Sequence, residues 1–161
     1  MAYILDTNII RKLLFHFPKK GKYFETVWEE IESEISNKKV YSVDECFNEL
    51  HGQFAKDNAS LKWLSERKGM FLNPNNEESL IIRNLFRNPK MRESIHEKNI
   101  INNRPSADVY IAAKAKLTGD ILVTEEEYKP NSAQLPNICA ELGVKYISFD
   151  SFMEIITSKL N

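Results

Sequence analysis

Cysteine is scarce in this sequence. Cys46 and Cys139 are the only two in 161 residues, far apart and in no metal-ligand spacing. That argues against a disulfide framework and a thiolate metal site, and reads as two buried thiols in a reducing cytosol. Histidine is equally sparse. His16, His51 and His96 are scattered, so imidazole acid–base chemistry is not expected, although His51 lies two residues after Glu49. No apolar run approaches the roughly 18 residues of a membrane span. No basic start followed by an apolar core precedes the first strand, so no secretion signal is expected and the location reads as cytoplasmic. Repeats, low-complexity tracts and linkers are missing too. Nor does one sign of charge dominate: 22 basic and 23 acidic residues leave a formal net charge of −1. That balance neither favours nor excludes a nucleic-acid partner, because a local basic patch beside an acidic pocket can do the binding.

What is present suits a single soluble domain spanning 1–161. A chain of this length buries roughly 70% of its unfolded surface without staples, and 42% apolar with 28% charged residues is ordinary for a globular protein. Short apolar runs alternate with helical periods. "AYILD", "VYSV", "DILVT" and "VKYISF" read as strands, with "MFLNP" as a brief strand or extended link. Helices are expected over "NIIRKLLF" (stopped near Pro18), "YFETVWEEIESEISNKK", residues 43 to about 57, "LKWLSERKG", 76–100 with a break at Asn88-Pro89, 106–118 between a Ser106 cap and Gly119, "NICAELG", and a last helix capped by Asp150. Strands separated by helices predict an α/β fold, a mainly parallel sheet covered on both faces.

Oxygen-bearing side chains in unusual places carry the chemistry. "YILDTNII" ends a strand in Asp6-Thr7-Asn8, which either cap the next helix or hold something. In "SADVYIAAKAK", Asp108 shares a helical face with Ile111, Ala112 and Ala115. A lone ionised carboxylate there would cost several kcal/mol, so it must be paired, hydrogen-bonded or metal-bound, unless it caps its own helix. In "VDECFNEL", at about 100° per residue, Glu49 borders the apolar stripe of Val43, Phe47, Leu50 and Phe54, while Glu45 leans outward toward solvent. In "ILVTEEEY", a buried strand ends in Thr124 and three acids, Glu125, Glu126 and Glu127, which could equally be an exposed acidic turn. Asp6 and Thr124 should stand at the carboxyl ends of parallel strands, where open α/β sheets bind ligands. Converging carboxylates need a counter-charge, and no Lys or Arg adjoins the acids in these four motifs. A hard cation, Mg²⁺ or Mn²⁺, is the economical solution for an oxygen-only set.

"ILDTN", "VDECFNEL", "SADVYIAAKAK" and "LVTEEE", in that order and context, resemble the four acidic motifs of the PIN-domain (PilT N-terminus) nucleases, over nearly the whole chain. The resemblance implies a three-layer α/β/α sandwich with a central parallel sheet and metal-dependent ribonuclease activity. By position, Asp6, Glu49, Asp108 and Glu126 match the family acids. Thr7, Asn8, Thr124 and Glu125 support them, and Glu125 could stand in for Glu126, since the last family motif is usually Thr-x-Asp. Asp6 and Asp108 would hold the principal metal. Glu49 would complete its shell or orient water, and Glu126 would position a second metal or an outer water. "LPNICAELGVKYIS" also looks like a bacterial subgroup of PIN-like proteins. The resemblance implies an RNA substrate; many small family members are toxins paired with an antitoxin protein, and a homodimer is compatible with it. A basic rim against phosphate repulsion is expected within Arg83 to Arg104, a stretch that also holds Lys98, with Arg83, Arg87, Lys90, Arg92 and Arg104 as the RNA-binding candidates and Lys19, Lys20 and Lys22 as a second basic cluster. Three rival readings exist: an aspartyl-phosphate enzyme would want Asp-x-Asp after the first strand, a receiver domain would want an acidic pair and a late lysine, and a PIN-like module could bind RNA or protein without cutting.

Overall fold

The computed structural model describes residues 1–17, 22–102 and 106–161. Strands β1 (Tyr3–Leu5), β2 (Val40–Val43), β3 (Phe71–Leu72), β4 (Ile121–Val123) and β5 (Tyr146–Ile147) form one sheet in the order β3-β2-β1-β4-β5. Each pairing among the described residues is parallel. Short apolar runs form these strands because both faces of the sheet are covered; all of β2 is buried.

Helices α1 (Thr7–His16) and α2 (Glu25–Ser36) lead from β1 to β2, and α3 (Asp44–Gln53) and α4 (Asn58–Glu66) lead on to β3. Then α5 (Asn76–Leu85), α6 (Pro89–Ile101) and α7 (Asp108–Thr118) carry the chain back across the sheet to β4, α8 (Leu135–Leu142) joins β4 to β5, and α9 (Phe149–Ser158) follows. Right-handed crossovers that step in opposite directions from the sheet centre place their helices on opposite faces. Accordingly α1 packs on α3 and α2 on α9, whereas α7 packs between α5 and α8. The result is the α/β/α sandwich expected.

The core lies on both sides of β1 and β4. Ile4, Leu122 and Val123 meet Trp28, Leu50 and Phe152 from the helices, all essentially inaccessible; each such burial is worth about 1.5–3 kcal/mol. Helix α7 is the most deeply embedded, and Ala112, Ala113 and Ala115 let its backbone lie close to its neighbours. Gly119, at φ 75°, ends it in the left-handed conformation that a side chain would strain. The two cysteines are free and buried as expected, and burial pushes each thiol up to about 12. Among the described residues no helix is long and apolar enough to cross a membrane.

Several boundaries differ from expectation. Ala107, not Ser106, occupies the position before α7, though Ser106 Oγ still accepts the Asp108 N–H at 3.2 Å. Ser148, not Asp150, caps α9 by accepting the Ser151 N–H; Asp150 sits in the first turn, where its charge favours the helix dipole. Helix α8 starts at Leu135 because Pro136 is tolerated in a first turn. Strand β5 is only Tyr146–Ile147. Pro18, Lys19, Lys20 and Arg104 lie outside the described residues.

Candidate active site

The direction of winding reverses between β1 and β4, whose carboxyl ends lie side by side. The pairing Leu5↔Val123 makes Asp6 and Thr124 the next residues on the two strands, and Thr124 Oγ1 donates to Asp6 Oδ2 at 3.2 Å. Ligand crevices in open α/β sheets form at such a reversal. Asp6 takes the N-cap position of α1, but its side chain makes no capping bond. Its backbone carbonyl instead accepts the Ile9 and Ile10 N–H groups. The carboxylate is therefore not committed to the helix. Burial, followed by the charges of Asp108 and Glu126, holds its pKa well above the usual carboxylate range, against the hydrogen bond from Thr124.

The packing of α7 against its neighbours brings its first residue, Asp108, to the same edge. Glu49 reaches there from α3 and bridges two helix starts: Oε2 accepts from Thr7 Oγ1 at 2.7 Å and Oε1 from the Ala107 N–H at 3.0 Å. After β4, Thr124 Oγ1 accepts the Glu126 N–H at 3.1 Å, and Glu126 Oε2 accepts the Leu135 N–H at 2.7 Å, where α8 begins. Glu125 turns the other way. It pairs with Lys12 at 3.1 Å and accepts the Phe149 N–H at 3.2 Å. A cavity of about 550 Å³ results, and Asp6, Thr7, Asn8, Glu49, Asp108 and Glu126 all line it, whereas Glu125 does not. Glu45 also stays outside this cavity, yet it is less solvated than the helical wheel implied. Among the described residues one of its carboxylate oxygens is buried without a hydrogen-bond partner, and burial raises its pKa.

Lys98, expected only as one basic residue of the rim, stands among the acids instead. Its ammonium contacts Asp108 Oδ2 and lies 3.5 Å from Glu126 Oε2. Burial alone would lower its pKa, but the charges of Asp108 and Glu126 raise it. So the acids do have a lysine counter-charge, contributed by α6 rather than by any of the four motifs. A signal existed in the helical spacing of Ser94, Lys98 and Ile101, which all face the cavity, but nothing local says that this face meets the acids. Arg11, one turn into α1, supplies a second cation to the lining. Of the rest of the expected basic rim, Arg83, Arg87, Lys90 and Arg92 are exposed and none of these four lines the cavity. Lys90 borders an adjoining cleft that shares Ser94, Glu97, Asn131 and Ser132 with it.

The donor chemistry suits a hard divalent cation: oxygen-only ligands with an excess of negative charge over Lys98. Among the described residues, however, no three acidic, histidine or cysteine side chains already stand close enough together to hold one. The ammonium of Lys98 keeps Asp108 and Glu126 engaged instead.

A family profile described as "Domain of unknown function (DUF4411)" matches residues 3–159. The chain belongs to the DUF4411 family. No curated protein matches this DUF4411 chain significantly. A solved chain in the 2.2 Å resolution structure of VapBC-1 from nontypeable Haemophilus influenzae is similar with a TM-score of 0.54 and 18% identity, over 93% of this chain and 99% of that one. The likeness is one of fold, and the fold of the DUF4411 chain is PIN-like, as the four motifs implied.

Proposed function

We propose that this DUF4411 protein is an endoribonuclease dependent on Mg²⁺ or Mn²⁺, hydrolysing RNA phosphodiester bonds as the toxin of a toxin–antitoxin pair. One observation carries the reading: acids from four distant segments line a single cavity at the strand reversal, and the most buried of them, Asp6, makes no helix-capping bond. Asp6 and Asp108 would hold the principal cation. Glu126 would hold a second cation or a water from the α8 side. Glu49, with both oxygens engaged, keeps α7 and α1 in register and would complete the shell or orient a water. When bound, the cation supplies positive charge to the phosphodiester and lowers the pKa of a water. Arg11 and Lys98 offset the repulsion between the acidic cavity and an approaching RNA backbone. Single-stranded or looped RNA fits best, because a flexible backbone must reach buried carboxylates. The family resemblance supports an antitoxin as protein partner and is compatible with a homodimer.

The other reading is a PIN-like module that binds RNA or protein without cutting. Against it stands the excess of acidic over basic side chains in the cavity lining, which a pure binding surface for phosphates would not need. Melting curves with and without Mn²⁺, alongside cleavage of a generic RNA, decide between the two. Mn²⁺ should raise the wild-type melting temperature, because it binds only the native state. Asp108→Asn should erase that shift and reduce cleavage more than about 100-fold, beyond the loss typical of an outer-shell group. RNA binding indifferent to chelation, with no cleavage, would establish the binding module.

A further inference from the structure

Lys98 is placed as a cation in an oxygen cage. Its Nζ contacts Asp108 Oδ2 and lies 3.5 Å from Glu126 Oε1, Glu126 Oε2 and the Ala133 carbonyl. These oxygens come from three separate segments: the start of α7, the turn after β4 and the approach to α8. Two of the three segments supply acids assigned above to cation binding. The helix that delivers the lysine is also lightly anchored. Among the described residues of α6, only Ile95 is buried, and Ile100 and Ile101 at its end are exposed. By contrast α7 buries seven of its residues, Asp108 and Lys114 included.

We propose that Lys98 is a tethered competitor of the divalent cation: its ammonium occupies the acidic cup until metal binding expels it toward the substrate side of the cavity. This rests on the reading of the site as a metal-dependent nuclease centre. Mg²⁺ holds its oxygens at about 2.0–2.1 Å, and an ammonium hydrogen-bonded to the same carboxylate at about 2.7–2.9 Å both crowds and repels it. The metal can bind only the fraction of molecules in which Lys98 has left, so its apparent affinity falls by that fraction. Once displaced, the lysine stays on the cavity wall with Arg11, placed to meet a phosphate oxygen.

Isothermal titration of the full chain with Mn²⁺ alone, comparing wild type, Lys98→Met and Lys98→Arg, tests this without any cleavage assay. Lys98→Met should bind Mn²⁺ at least about tenfold more tightly than wild type, and Lys98→Arg, which restores a tethered cation, should return close to wild type. A second measurement needs no variant. Acetic anhydride labelling of the wild type, read by mass spectrometry, should modify Lys98 several-fold faster when Mg²⁺ is added, while the buried Lys114 remains unmodified. Equal Mn²⁺ affinity in wild type and Lys98→Met, or Lys98 labelling unmoved by Mg²⁺, overturns the competitor role and leaves the nuclease reading standing. Absence of Mn²⁺ binding in both wild type and Lys98→Met overturns the two together. Should Lys98→Met fail to fold, the labelling result alone decides.

Discussion

Among the described residues helix α7 takes part in two lysine–carboxylate contacts, and they differ in kind. At its first residue, Asp108 receives Lys98 from α6. Two turns later its own Lys114 contacts Glu78 on α5 and donates to the Asn73 carbonyl at 3.2 Å. The second pair is dry, with side-chain exposures of 7% and 1%, and Glu45 beside it also feels the charges of both partners. The first is unmatched: one ammonium contacts two acids, at 20%, 9% and 21% exposure, with Asp6 and Glu49 also lining the cavity. Both lie in the same layer of the sandwich. A pair with no opening to solvent tethers two helices. Surplus carboxylates at the mouth of a cavity ask for something further. Access to a cavity is what separates the site from the scaffold.

The largest effect should fall on the scaffold pair. Glu78→Gln leaves Lys114 buried without its counter-charge, and breaking such a pair costs about 3–5 kcal/mol. Denaturant unfolding should show that loss, while any variant still folded should respond to Mn²⁺ as wild type does. If Glu78→Gln instead spares stability and abolishes the metal response, the contrast between the two pairs is drawn in the wrong place.

Next comes the contrast inside the acidic turn. Glu126→Gln keeps an oxygen acceptor for the Leu135 N–H but removes a charge from the cavity. It should lower cleavage about 10–100-fold, as loss of an outer-shell group does, with partial rescue by excess Mn²⁺. Glu125→Gln removes a partly exposed pair with Lys12, worth about 0–1 kcal/mol of stability, and should leave the cleavage rate nearly untouched. A larger catalytic loss from Glu125 would place the wrong acid in the site.

The smallest expected change is a gain. Because the folded protein holds the pKa of Asp6 above its unfolded value, folding favours the protonated form. That contribution to stability is complete below the ordinary carboxylate range and is lost as the pH rises through the elevated value. Asp6→Asn has no proton to lose. Without metal it should therefore melt higher than wild type at neutral pH, with the gap closing toward acid pH, and it should show no Mn²⁺ shift. A gap that stays constant from acid to neutral pH would mean that repulsion at Asp6 is already neutralised.

Much of the architecture was legible in local pattern. Buried runs of three or four apolar residues announced β1, β2 and β4, and Gly119 announced the end of α7, because strand burial and a left-handed helix stop each leave a mark on adjacent residues. Boundaries that depended on competition between neighbouring hydroxyl and carboxylate caps, as at Ser148 and Asp150, were misplaced. Glu45 was misjudged for a related reason: a helical wheel knows the helix's own apolar stripe but not what a neighbouring element lays over its flank.

By itself the sequence determined which residues carry oxygen at the ends of strands and the starts of helices, since those positions follow from periodicity within a few turns of chain. Motif order then singled out Asp6, Glu49, Asp108 and Glu126 as the candidate acids. Only the tertiary structure decided that Glu126 enters the cavity while Glu125 turns to Lys12, that both Glu49 oxygens are held by two helix starts, and that Lys98 is the ammonium among the acids. The physical reason is range. Local pattern reports backbone preference and the burial of one face, whereas charge pairing depends on distances between segments tens of residues apart, which exist only once the sheet has brought them to one edge.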